Sequence, residues 1–536
     1  RHRFTVNIEA PVDWRVLTQG APAGGERVRR FVADNPQQGI YLVAGPWHGY
    51  QRTATGARAG VMLLDDDESL ADKYLDAALH DIRGYSDAIG PYPYDAFTLV
   101  ENRRQTGWGM PAFTLLGSRI IRLPFIVHTS FPHEILHNWW GNGVFVDRRG
   151  ANWSEGLTTY LSDHLSRERR GVGYEYRRDA LISWQDFASR DEDFPLSEFV
   201  GRHDRATQAV GYGKGMFFFH MLRREVGDES FMSALRTFYQ RHRYRFAGYD
   251  DIRQAFETAC NCELGWFFDQ WLERAGAPRL QLENVRAGRD EVVFSLRQFG
   301  MPWRLGVPVR VTDVDGNSFE TTLRADRVLQ DYTIELEKSP ARIDIDPGFD
   351  LFRQLMPGER PATFSRVFGA KSVGVVPLGD AFADAAANLA SRHASWHVVD
   401  DDPAASRRVE TVLLIGDDRK AARQWLSVSP GKPYRFEDGA LIIEDARWVD
   451  RPGRVVTLVD SAAHGNGVVM WVGATRGRDV DGLIARLSHY GRSSYAVLDT
   501  GGGAAASGQW NSRDNAFGRV FVPGVVMAPG EENPLF

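Results

Sequence analysis

The chain has 536 residues, 64 Lys plus Arg against 70 Asp plus Glu, and 43% hydrophobic residues. That length is enough for three or four domains, each able to bury a core. A formal charge of −6 without a long basic run disfavours nucleic-acid binding, and no apolar run approaches the ~18 residues of a membrane span.

Residues 1–55 alternate in strand fashion (Phe4, Val6, Ile8; then Ile40 to Val43) between turns rich in Gly and Pro, and read as the tail of a β-domain. From Leu70 to Ile89 apolar residues recur at helical spacing, and Gly-Pro-Tyr-Pro-Tyr at 90–94 closes that helix.

Residues 133–137 then read His-Glu-Ile-Leu-His. An α-helix turns every ~3.6 residues, so His133 and His137 share a face and can chelate one ion. Glu134 lies beside that face, placed to take a proton from water instead of binding the metal. Pro132 suits the first turn of such a helix, and Ile135, Leu136, Trp139 and Trp140 give it an apolar back. Glu155, within Asn-Trp-Ser-Glu-Gly-Leu-Thr-Thr-Tyr, comes from a second helix backed by Trp153 and Leu157. It completes a His₂Glu set that leaves a fourth position open, so one zinc ion is the expected cofactor. Thr158 and Thr159 follow one turn later; Thr159 is placed either to hydrogen-bond a ligand or to be an ordinary helix-face residue.

Residues 215–275 read as mostly helical, with breaks at Gly227 and Gly248. Gly215-Met-Phe-Phe-Phe, followed by His220, reads as a buried helix. Cys260 and Cys262 are the two cysteines; one residue apart, they strain a mutual disulfide and do not suggest a zinc-binding set. From 281 to 353 alternation returns (Val292, Phe294, Leu296; Val307, Val309, Val311; Ile343, Ile345), with Asp315-Gly316 as a hairpin turn, and suggests a small β-sandwich. From 362 onward strand runs (372–377, 411–415, 455–459) mix with helical ones (382–389, 420–426, 480–487), as in an α/β domain. The glycine-rich stretches at 501–508 and 416–418 lack a phosphate-loop Lys-Ser/Thr or a three-glycine fingerprint, and both read as plain loops.

The order His-Glu-x-x-His, Asn-Trp-Trp-Gly-Asn (138–142), Trp-x-Glu-Gly-x-x-x-Tyr (153–160) and Gly-Tyr-Gly-Lys-Gly (211–215) resembles the gluzincin aminopeptidases, which include the alanyl aminopeptidases and leukotriene hydrolase. The segment 266–278 looks like the close of that family's helical catalytic region, so the likeness covers about residues 55 to 280. The resemblance implies an α+β multidomain protein. A thermolysin-like, mostly helical catalytic domain (56–280) is expected between an N-terminal β remnant (1–55) and a β-sandwich (281–358), followed by an α/β accessory domain (359–536). It implies a zinc metallopeptidase acting on a peptide or protein, with His133, His137 and Glu155 as metal ligands and Glu134 as general base. Tyr212 would stabilise the oxyanion: a neutral phenol opposite the metal caps the developing charge, and a tyrosine pKa near ~10 keeps its proton in place.

Two departures stand out. The family has eighteen residues between the second His and the Glu, and this chain has seventeen, 138–154. The family's Gly-x-Met-Glu-Asn segment, whose Glu binds the substrate α-amine, corresponds here to Gly107-Trp108-Gly109-Met110-Pro111-Ala112-Phe113, without a carboxylate. Gly109, Met110 and Pro111 are still expected to form an edge strand aligning a substrate backbone, and Glu101 is the candidate replacement acid. Three functions therefore remain open: an aminopeptidase, a zinc peptidase indifferent to the free N-terminus, and a non-catalytic peptide-binding relative. Relatives carry a larger β-domain first, so the true N-terminus is expected to be missing; a bacterial envelope or secreted location is favoured over the cytoplasm.

Overall fold

A computed structural model describes residues 2–24, 28–54, 57–105, 107–147, 150–188, 192–402, 409–426, 434–443, 445–462, 467–480, 482–499, 503–510, 517–523 and 534–536. The molecule is a mixed α+β, multidomain protein whose contacts divide it into two units. One comprises Arg1–Trp184, Ala188–Gln354 and Phe521–Phe536; the other comprises Gln185–Phe187 and Leu355–Val520.

The first unit contains a five-stranded sheet ordered His48–Ala54, Ala57–Leu63, Phe97–Asn102, Phe113–Gly117, Gly107–Met110. The Ala57–Leu63, Phe97–Asn102 and Phe113–Gly117 strands are parallel, and Gly107–Met110 closes the sheet as an antiparallel edge. The helix Glu68–Ala88 lies along this sheet. Asp67 caps it by accepting from the Leu70 amide, which satisfies one of the free N–H groups of the first turn. It buries Tyr74, Leu75, Leu79, Ile82 and Tyr85 at i, i+3/i+4 spacing. Tyr74 meets Phe131 edge to face at 4.9 Å, which ties this helix to the next, Ser130–Leu136.

The helical region continues with Trp153–Thr158, Gly215–Val226, Asp228–His242, Tyr249–Cys260 and Gly265–Glu273. Gly227, at φ +82°, makes the break between two of these, a conformation open to glycine at no steric cost. Gly215–Val226 is buried through Met216, Phe217, Phe218 and Phe219, as its apolar run implies. Trp140, Trp153, Phe238 and Tyr239 form an aromatic core beneath the site. The Cys260–Cys262 pair corrects the sequence reading: the two sulfurs are bonded. Asn261 between them is left-handed (φ +51°), which swings the two Cβ atoms to the same side and leaves the Cα atoms 5.2 Å apart. Beyond the helices, Leu280–Ala287, Glu291–Gln298 and Leu329–Glu335 form one antiparallel sheet. Leu305–Asp313 pairs with both Ser318–Ala325 and Pro340–Ile345, with Gly316 (φ +87°) in the expected hairpin.

The second unit holds a seven-stranded sheet ordered Trp396–Val398, Val373–Pro377, Thr411–Ile415, Val468–Gly473, Arg454–Ser461, Tyr495–Asp499, Ala504–Gly508. The first four strands are parallel and the remainder antiparallel. Alternate residues feed two cores. Val375, Leu413 and Met470 pack with Ala386 and Leu389 of one helix, while Val376, Leu414 and Trp471 pack with Ala422 and Trp425 of another. The glycine-rich stretch 501–508 also requires correction. Residues 504–508 are the edge strand rather than loop, because Ala-Ala-Ala-Ser is small enough to pair beside Tyr495–Asp499; 501 and 502 lie outside the described residues.

Candidate metal centre

His133 and His137 are one turn apart on Ser130–Leu136 and its C-cap, and Ile135, Leu136 and Trp139 bury the opposite face completely. Each imidazole is held by its Nδ1. His133 Nδ1 lies 2.7 Å from Asp163 Oδ2, and His137 Nδ1 lies 3.1 Å from the Trp140 carbonyl and 3.4 Å from Thr158 Oγ1. A carboxylate and a carbonyl only accept, so both Nδ1 atoms donate and both Nε2 lone pairs face inward. Those Nε2 atoms are 3.1 Å apart.

Glu155 reaches the same point from the first turn of Trp153–Thr158, a helix capped by the Asn152 side chain on the Ser154 amide. Its Oε2 is 3.3 Å from His137 Nε2 and 3.7 Å from His133 Nε2, and it is buried without a hydrogen bond among the described residues. A tetrahedral ion with bonds of ~2.0–2.1 Å separates its ligands by about 3.3 Å, so the residues present fit a zinc ion. The electrostatics agree. Burial pushes the Glu155 carboxyl up, but the His137 and His133 imidazoles outweigh it and hold it well below the usual carboxylate range. Burial pushes His133 down, and the Asp163 carboxylate overrides this and raises it well above the ordinary imidazole range. The cluster is built for a positive charge at its centre.

Glu134 points toward the edge strand Gly107–Met110. A methyl group on Gly109 would come within 2.5 Å of Glu134 Oε2, so the carboxylate lies directly on that glycine. Asn138, fully buried, joins the two elements: its Oδ1 accepts from the Ala112 amide at 2.8 Å, and its Nδ2 donates to the Ile135 carbonyl at 3.0 Å. Ala112 adopts φ +71° in the two-residue turn that Pro111 begins, between Met110 and its partner Phe113. Met110 turns its side chain into the sheet, against Met62, Val100 and Phe113. Glu101 is 1% exposed and spent elsewhere: Oε1 binds Arg122 at 2.6 Å and Oε2 accepts from the Leu64 amide at 2.8 Å.

Tyr212 lies in a six-residue π-turn, Ala209–Lys214, that follows a helix started by an Asp204–Thr207 capping box. Its ring lies parallel to that of His133 at 6.4 Å, and Phe199 meets it edge to face at 6.1 Å. Burial raises the phenol first, and the negative Glu155 carboxylate, which also accepts its hydrogen bond, raises it further. The group remains a neutral donor across the physiological range.

Residues 126–271 match the model of the peptidase family M1 domain. The chain carries an M1 peptidase domain. It is distantly homologous to aminopeptidase N of Lactococcus lactis subsp. lactis, at 26% identity over 298 residues, covering 49% of this chain and 34% of that protein. It is also similar to human aminopeptidase RNPEPL1, at 25% over 303 residues, covering 51% of this chain and 41% of the relative. A third relative is the alanine/arginine aminopeptidase of Saccharomyces cerevisiae, at 23% over 252 residues, covering 44% and 29%. The chain therefore spans well under half the length of these M1 aminopeptidases. M1 peptidases are zinc-dependent, and the matched segment contains all three clustered donors.

The structure brings His133, His137, Glu155, Glu134 and Tyr212 of the matched segment together with Gly109, which precedes that segment; Met110 ends the adjoining strand, and Pro111, expected within the strand, lies in the turn after it. Sequence reasoning missed Asp163 and Asn138. Asp163 stands eight residues after Glu155, and reaches His133 because Thr159–His164 is a second π-turn, which an α-helical projection from Glu155 does not anticipate. Thr158, not Thr159, approaches a ligand; Thr159 Oγ1 is buried with no hydrogen bond among the described residues. Glycines also matter here. A methyl group on Gly156 would come 2.7 Å from the Gly215 carbonyl carbon, so the helix bearing Glu155 and the helix following Tyr212 touch backbone to backbone.

Proposed function

We propose that this chain is a zinc-dependent peptidase that cleaves peptide bonds by attack of water. The observation that carries the reading is the donor triad of His133, His137 and Glu155, flanked by a carboxylate on one side and a neutral phenol on the other. Zinc in such a site supplies an acidified water and polarises the substrate carbonyl. Glu134, held beside the edge strand, accepts the proton of the attacking water and returns it to the departing amine. Tyr212 donates a hydrogen bond to the carbonyl oxygen as negative charge develops there. The edge strand Gly107–Met110 offers main-chain groups to an extended substrate, which would lie as a further strand across Glu134.

The M1 relatives are aminopeptidases by name, yet this chain covers only part of them, so the bonds it cuts have to follow from its own residues. The testing experiment pairs metal analysis with hydrolysis of a fluorogenic peptide. Wild type should carry about one zinc per chain; a chelator should abolish cleavage, and added zinc should restore it. Glu134→Gln should keep its zinc and lose about 10²–10⁴-fold in rate. Cleavage by Glu134→Gln at the wild-type rate, or by fully demetallated protein, refutes the reading.

A further inference from the structure

The peptidase reading leaves open what the cleft requires on the N-terminal side of the scissile bond, and the charges around Glu134 answer it. A protonated α-amine entering a water-poor cleft needs a carboxylate to replace its hydration. The described carboxylates of the centre each have a task. Glu155 meets both imidazoles, Asp163 holds His133 Nδ1, and Glu134 rests on Gly109 beside the metal ligands. Glu101, on the strand beside Phe113–Gly117, is closed off by Arg122 and the Leu64 amide, a pairing that keeps it ionised and occupied.

The end of the edge strand offers no charge of its own. Pro111 has neither an N–H nor a polar side chain, and the next amide, Ala112, is already bound by Asn138 Oδ1. The turn cannot easily be remodelled around a ligand, since Asn138 is fully buried and also donates to the Ile135 carbonyl of the metal-binding helix. On the Tyr212 side, the exposed guanidinium of Arg202 opposes the raising of the phenol. A terminal ammonium would therefore meet an uncharged strand end, while an amide would meet nothing it needs to avoid.

We infer that the cleft takes peptides without a free α-ammonium at the scissile residue, that is, N-acylated termini or internal peptide bonds, with the preceding acyl group or residue running past Pro111. This inference rests on the peptidase reading.

The test uses the full zinc-loaded chain and one peptide sequence in two forms, free and N-acetylated. Cleavage of the acetylated form should match or exceed that of the free form in kcat/KM. Binding to Glu134→Gln, followed by fluorescence anisotropy, should show the acetylated peptide at least as tight. A second variant, Pro111→Glu, restores a carboxylate at the strand end and should shift the free-to-acetyl ratio by about tenfold toward the free peptide. The inference is overturned if wild type cleaves or binds the free form alone. If wild type cleaves neither peptide but Glu134→Gln binds the acetylated form as well as the free one, the peptidase reading fails while the predicted binding preference stands. If neither form is cleaved or bound, both fall.

Discussion

At the residue scale the centre rests on paired duties. Asp163 fixes the tautomer of His133, and partners of this kind typically set metal affinity by 10–100-fold. Asp163→Asn is therefore expected to weaken zinc retention by that factor, measured by competition with a chromophoric chelator; unchanged affinity would contradict the role given to it. Tyr212→Phe removes the phenol without changing the ring that faces His133. It should lower kcat by about 10²–10³ with KM nearly unchanged, the pattern expected when a contact acts in the transition state alone. His133 and His137 were legible because helical spacing puts them on one face with Glu134 beside it, and Glu155 because a carboxylate in the Asn-Trp-Ser-Glu-Gly stretch of a second helix completes the ligand set. Asp163 was not legible, since its reach depends on one extra residue in a turn. Asn138 was not either, because a buried amide joining two backbones leaves no periodic trace.

At the element scale, most helices followed their apolar spacing and their glycine breaks. Asp228–His242 and Tyr249–Cys260 begin where Gly227 and Gly248 interrupt the pattern. The edge strand formed over Gly107–Met110, with Gly109 and Met110 in it as expected, but Pro111 falls in the tight turn Pro111-Ala112, since a proline has no N–H to pair across the strand. What the pattern could not express was distance between elements. Gly156 and Gly215 let two helices meet at backbone contact, and this contact holds Glu155 beside Tyr212. Gly156→Ala should force them apart, costing about 1–3 kcal/mol of stability and weakening zinc retention. Thermal unfolding with and without zinc would measure both effects, and a wild-type Tm with full zinc content would argue against the contact's importance.

At the scale of the whole molecule, the M1 region was readable because its chemistry recurs in a fixed order. The sheet of the second unit was readable only as a rhythm of strands and helices; its mixed order depends on pairings far apart in sequence. One such long-range arrangement sets a pH dependence. His164, Arg177, His220 and Asp350 converge from distant segments, with His220 Nε2 2.9 Å from Asp350 and Arg177 Nη1 2.8 Å from His164 Nε2. Burial first, then the Arg177 guanidinium, depresses both imidazoles, His220 to about 3. An unfolded histidine titrates near ~6.5, so below that pH the unfolded chain binds protons that the folded chain refuses. Stability should fall as the pH drops from ~6.5 toward 3, by up to about 1.4 kcal/mol per pH unit for each histidine. His220→Gln should flatten the Tm–pH slope between pH 6 and 4; parallel slopes would exclude this origin.

The π-turns at Thr159–His164 and Ala209–Lys214 carry a consequence for how this molecule can change. Each holds one residue more than a regular helix needs at the place where Asp163 or Tyr212 must face the ligands. Deleting a single residue from either turn would let the chain close with ordinary helical hydrogen bonds, removing the widened turn that carries Asp163 or Tyr212 toward the ligands. Selection for heat resistance alone would therefore favour shortening these turns, and a lineage released from selection on this centre should lose them before it loses its fold.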